Sequence, residues 1–147
     1  MEQESTSELM NVLVNSRKRD IEGLKDRFIA DSLSFVSYMD FIIEEKKLKR
    51  QDIFQKADIP QKYGYKILSG ESHTTDRDKL LRIFIAMGMN LKETQRALEL
   101  YKMPALYPKR QRDAIIIIAI NKGVSCVDTV NEWLSQYGEK ELTRSGE

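Results

Sequence analysis

An all-α fold is what this sequence predicts, and three observations carry the prediction. Apolar residues recur at helical spacing nearly throughout, Gly (7) and Pro (3) are few among 147 residues, and polar capping patterns precede several apolar stripes. Leu9, Val12 and Leu13 begin a first short stripe, and Ile21, Leu24, Phe28 and Ile29 a second, with Arg17, Lys18 and Arg19 between them. Phe35, Met39, Ile42 and Ile43 mark the next helix, which ends in Glu44, Glu45, Lys46 and Lys47. A helix over about Arg50 to Ala57 follows, and Pro60 ends it, because proline lacks a donor and pushes Ile59 out of the helical region.

Pro60 suits the first turn of a new helix, which Gly70 terminates just after Ser69. Thr75 to Asp78 reads as a capping box with Asp in the usual Glu place, ahead of Leu80, Leu81, Phe84 and Ile85 and a stop at Gly88. Asn90 to Glu93 is a second box, opening a helix with Leu91, Ala97, Leu98 and Tyr101. Pro104 and Pro108 then mark a connector. Ile115 to Ile118 and Ile120 fit a buried strand or a buried helix by spacing alone; helix is preferred because the chain holds no partner strand. Ser125 to Asp128 opens a last helix through Val127, Val130, Trp133 and Leu134, ended by Gly138, and the tail Glu139 to Glu147 is expected to fray.

Composition removes several kinds of chemistry. Cys126 has no partner for an internal disulfide, and one Cys with one His cannot build a Cys/His zinc site. His73 has no Ser or Cys neighbour at catalytic spacing, Asp76 and Asp78 read as capping residues, and no Gly-rich phosphate loop occurs. Cys126 is read as a buried structural thiol, with a lowered pKa near a helix start as the alternative. Met1 to Met10 has no apolar core of a signal peptide, and the apolar run Ala114 to Ile120 falls far short of the roughly 18 residues a membrane span needs. The expectation is a cytoplasmic, non-enzymatic protein with no cofactor, no metal, no membrane contact and no small-molecule substrate.

Net charge is +1, but its distribution is uneven. Between Lys46 and Arg82 ten basic residues stand against five acidic ones, and Lys102 to Lys122 is also basic. Acidic residues collect in Asp31 to Glu45 and after Gly123. One region can therefore offer positive potential to an anion while the molecule stays near neutral, although a solvated charged face has the same composition.

The order of parts from Glu44 to Leu98 resembles the XRE-type, lambda-repressor-like helix-turn-helix family. Its landmarks are the charged Glu44 to Lys47 stretch, two helices within Arg50 to Ser69, Gly70, the polar loop Glu71 to Thr75, Leu80 to Met87, Gly88, and a further helix from Leu91. The resemblance implies an N-terminal helical arm (1–32), a helix-turn-helix domain (33–101), and a C-terminal helical extension (102–147) that is a candidate dimerisation element. Asp58 would take the left-handed position where the family prefers Gly, since Asp tolerates it. Ile53, Ile59 and Ile67 would be buried anchors. The chain departs from the family at Phe54, where a small residue is usual, at Gly64, where an apolar anchor is usual, and at Leu68, where a polar residue is frequent. Phe54 and Gly64 read as a paired swap, a ring filling space that a branched side chain otherwise takes.

By the same resemblance, the helix Pro60 to Ser69 would enter the DNA major groove, with Gln61, Lys62 and Lys66 facing base edges; Gln pairs with adenine and Lys with guanine there. Lys49, Arg50, Ser69, Thr74 and Arg77 would touch the DNA backbone, and Tyr65 would either join them through its hydroxyl or pack inward. The function implied is a sequence-specific DNA-binding transcriptional regulator, a repressor, acting as a homodimer on double-stranded DNA. The alternative is a protein-protein interaction module that keeps the fold and uses Tyr63, Tyr65 and Leu68 as an adhesive face.

Overall fold

The computed structural model describes residues 34–144; the arm 1–32 and its two expected stripes lie outside them. The described residues contain seven helices and no strand: α1 (Phe35–Glu45), α2 (Arg50–Ala57), α3 (Gln61–Ser69), α4 (Arg77–Ala86), α5 (Leu91–Leu100), α6 (Gln111–Asn121) and α7 (Val127–Gln136). They form one compact unit, so the extension after residue 101 packs on the same body as α1 to α5.

The middle of that unit is α4. Every residue from Asp78 to Ala86 is buried, the pattern of a helix covered on all sides. It packs against α2, α5 and α7, while α1 rests on α3 and α5, and α6 joins α7 to α5. Met39, Ile53, Phe54, Ile67, Leu80, Leu81, Phe84, Leu98, Ile116 and Leu134 fill one continuous core. The expected anchors Ile53, Ile59 and Ile67 are all buried.

Helix ends follow one device. At six of the seven, a residue in the left-handed region lets the next N–H reach back five residues to a carbonyl, as when Ile59 N–H donates to Phe54 C=O at 3.0 Å. Asp58 holds that position between α2 and α3 with φ 57° and ψ 51°. Gly70, Gly88 and Gly138 are the stops expected of them. Lys47 and Lys102 also sit at positive φ, where no Gly or Asn announces the bend.

Helix starts match less evenly. Asn90 and Glu93 form the reciprocal capping box, with bonds of 2.8 and 2.9 Å. The box expected at Thr75 does not form: Asp76 is the cap and its carboxylate accepts from Asp78 N–H at 3.0 Å. Pro60 precedes α3 as its cap, with ψ 135°, and is not inside the first turn. The last helix is capped by Cys126, one residue later than expected. That thiol is exposed and not a buried structural one; interaction with the Thr129 hydroxyl and N–H draws its pKa down.

The tail does not fray where it is described. Leu142 is 1% exposed, its N–H donates to Asn131 Oδ1 at 2.8 Å, and Thr143 donates from both N–H and hydroxyl to Asp78 Oδ2 at 3.0 Å. Asp78 also receives both terminal nitrogens of Arg112, at 3.0 and 2.9 Å. Burial alone pushes the Asp78 carboxyl up, but Arg112 and Thr143 together outweigh it and hold the carboxyl below the usual range. Asp78 is therefore the joint between α4, α6 and the strap after α7, and not a capping residue.

Candidate nucleic-acid interface

The surface in question is built on α3. Gly64, Ile67 and Leu68 face the core, which leaves positions 62, 65, 66 and 69 on the other side of a 3.6-residue period, while Gln61 lies on the Gly64–Leu68 stripe at the helix start. Gln61, Lys62, Tyr65 and Ser69 are exposed and Lys66 is half-buried. Of the three residues expected to face bases, Lys62 and Lys66 share one open face with Tyr65 and Ser69, and Gln61 is exposed beside it as the first residue of α3.

What lets α3 lie close on α2 is the pair Phe54 and Gly64. Phe54 is fully buried, and a Cβ on Gly64 would come within 3.0 Å of its Cγ, Cδ1 and Cε1 atoms. The ring occupies the volume a side chain at 64 would need, as the swap expected. Tyr65 then packs edge-on against the same ring, centroids 5.0 Å apart at 72°, yet remains 44% exposed. It packs inward and reaches solvent at once.

Around α3 the expected backbone-contacting residues divide. Lys49 is exposed and caps α2. Arg50, at the start of α2, forms an ion pair with Asp40 of α1, which positions the guanidinium and offsets part of its charge. Ser69 Oγ donates to Lys66 C=O at 3.2 Å and closes the end of α3.

Thr74 and Arg77 are placed otherwise than expected. Thr74 is 8% exposed; its N–H donates to the Tyr101 hydroxyl at 2.8 Å and its Oγ1 accepts from Asp76 N–H. Tyr101 in turn stacks on His73 at 4.3 Å and meets Phe35 edge-on at 4.6 Å. The polar loop is pinned to α5 by this set. Arg77 donates to Asp113 at 2.6 and 3.2 Å and to the Pro104 and Ala105 carbonyls, so its guanidinium ties α4 to the connector and α6. Both residues hold the scaffold behind α3 and leave the expected backbone contacts to Lys49, Arg50, Tyr65 and Ser69.

The adhesive face considered as an alternative is also altered. Leu68 is 2% exposed and belongs to the core, which accounts for an apolar residue where a polar one is frequent. Tyr63 is half-buried with Lys79 Nζ 5.8 Å from its ring centroid, so Tyr65 is the exposed member of that trio.

Two hollows border these elements. A cleft of about 410 Å³ lies at the α2–α3 turn between Gln55, Asp58, Pro60 and Arg144. A second, of about 520 Å³, is formed by α6 and α7 and is lined by uncharged residues, among them Ile115, Ile118, Trp133 and Tyr137. Ile118 is 49% and Tyr137 66% exposed. Among the described residues no cluster of three His, Cys, Asp or Glu side chains could hold a metal ion, and no helix is long and apolar enough to cross a membrane. No family model, curated protein or solved structure matches this chain.

Proposed function

We propose that this chain is a sequence-specific DNA-binding transcriptional regulator, a repressor of the lambda-repressor-like helix-turn-helix kind, that lays α3 in the major groove while α2 crosses the backbone. The observation that carries the reading is the open face of α3: Lys62 and Lys66 one turn apart, with the exposed Gln61 beside them at the helix start, on a helix whose other face is locked by Ile67, Leu68 and the Phe54–Gly64 contact. A rigid helix with Gln and Lys outward can bring hydrogen-bonding groups to base edges, and Lys49 and Arg50 at the start of α2 would contact phosphates. The left-handed Asp58 supplies the sharp turn such a pair of helices requires.

Two copies would address two half-sites one DNA turn apart, and the uncharged α6–α7 hollow with its exposed Ile118 and Tyr137 is the surface assigned to that homodimer. Such a regulator works in the cytoplasm and needs neither cofactor nor small-molecule substrate. The test is selection of a duplex from a random pool, followed by single substitutions. Lys62→Ala and Lys66→Ala should each weaken the selected duplex by about 1–3 kcal/mol and relax preference at one position. If no sequence is enriched, the base-reading assignment fails.

A further inference from the structure

The strap after α7 is held by a row of cations. Arg112 Nε donates to Lys140 C=O at 2.8 Å and its Nη2 to Glu141 C=O at 3.2 Å. Arg82 Nε donates to Thr143 C=O, and Lys79 Nζ to Arg144 C=O, both at 3.0 Å. Lys79 and Arg82 are one turn apart on α4, so they share a side of that helix. Running along the strap, four carbonyls are thus taken by three cations, with the buried Leu142 as the apolar anchor.

This arrangement is incomplete at Arg82. The residue is 2% exposed, and its Nη1 is buried with no hydrogen-bond partner. Burial, with the nearby charge of Arg144, pulls its pKa down against the attraction of Asp58, Asp128 and Asp78. A guanidinium withdrawn from water and bonded to a neutral carbonyl has lost more hydration than that bond returns. Anionic oxygens would satisfy it better, because charge-assisted hydrogen bonds are stronger than those to neutral carbonyls, and the Arg fork matches phosphate. The carboxylates that face the row, Asp58, Asp78 and Asp128, act on Arg82 at longer range than a hydrogen bond and leave its Nη1 without an acceptor. At its far end, Arg144 borders the cleft at the α2–α3 turn, next to the first residue of α3.

We propose that the strap is a latch over a phosphate-binding row: closed, its carbonyls occupy Lys79, Arg82 and Arg112; open, the row takes phosphate oxygens of a nucleic-acid backbone beside the α2–α3 turn. The identity of the partner rests on the DNA-binding reading, whereas the row itself does not. The first probe is therefore inorganic tripolyphosphate, with the full chain. Leu142→Ser removes the apolar anchor, and this variant, at unchanged helical circular dichroism, should bind tripolyphosphate several-fold more tightly than the wild type. Adding Arg82→Gln should cancel the gain. On a random duplex the log–log salt slope of Leu142→Ser should steepen by about 1.8–2.7, the equivalent of two to three phosphates.

Should Leu142→Ser fail to fold, hydrogen exchange on the wild type serves instead. Tripolyphosphate should accelerate exchange at the Leu142 and Thr143 amides, whose acceptors are Asn131 and Asp78. Unchanged or slower exchange overturns the latch, as does a folded Leu142→Ser with wild-type affinity for tripolyphosphate. A gain for tripolyphosphate with no duplex binding by either protein would support the latch and count against the DNA-binding reading.

Discussion

Gly64→Ala should destabilise this protein, although the same change in an ordinary helix interior stabilises it. In α3 the gain from replacing Gly by Ala would be about 0.8–1 kcal/mol. Against it stands the Phe54 ring, three of whose atoms lie within 3.0 Å of the new Cβ. The ring is fully buried and is backed by Tyr65 at 5.0 Å, so it has little room to retreat. Overpacking of this kind costs about 1–3 kcal/mol, which gives a net loss of about 1 kcal/mol. The sign should reverse once the ring is gone. In a Phe54→Leu background the methyl has space, and Gly64→Ala should then raise stability by up to about 1 kcal/mol relative to that parent. Urea unfolding of the four proteins, compared at equal m-value, measures a coupling of about 2 kcal/mol, well beyond the ~0.5 kcal/mol within which independent sites add. A stabilising Gly64→Ala in the wild type, or a cycle that closes within that margin, would refute the paired swap.

Two further outcomes follow from the same geometry. Asp78 has its folded pKa depressed, so the stability it contributes is whole above its unfolded pKa near 4 and is lost as pH falls through the lower folded value. Asp78→Asn should cost about 3 kcal/mol at pH 7 by leaving Arg112 without its carboxylate, and the gap to wild type should narrow at pH 3 in urea titrations; a gap independent of pH would contradict the assignment. Ile118→Lys with Tyr137→Lys should turn a dimer into a monomer in sedimentation equilibrium while leaving the helical circular dichroism unchanged, since both side chains are largely exposed. A wild type that is monomeric at every concentration would remove the dimer from the proposal.

What was legible in the chain was what depends on near neighbours. Gly70, Gly88, Gly138 and the Asn90–Glu93 box act over a few residues, and each stands where the spacing puts it, while the left-handed Asp58 stands where the family resemblance implies. The Phe54–Gly64 contact was also accessible, because two departures ten residues apart made sense only together. Partners far apart in sequence were not accessible. Asp78 reads as a cap because carboxylates near a helix start usually are; its partners, Arg112 and Thr143, lie 34 and 65 residues away. The family resemblance points Arg77 outward to a DNA backbone, whereas Asp113, 36 residues on, draws it inward. The tail had the composition of a frayed end, and only the placement of Asn131, Arg82 and Lys79 around it reveals an ordered strap.

The central claim is that α3 and the start of α2 meet DNA, and fluorescence anisotropy of the full chain on a random duplex across a salt series tests it most directly. Log affinity should fall steeply with log salt, at about −0.9 per phosphate neutralised. Lys62→Ala with Lys66→Ala is the informative double variant, because both belong to the open face of α3 while Arg50 is already paired with Asp40. It should weaken binding to the selected duplex far more than to the random one. An absence of binding at low salt, or a slope and affinity untouched by any substitution at Lys49, Arg50, Lys62 or Lys66, would contradict the account.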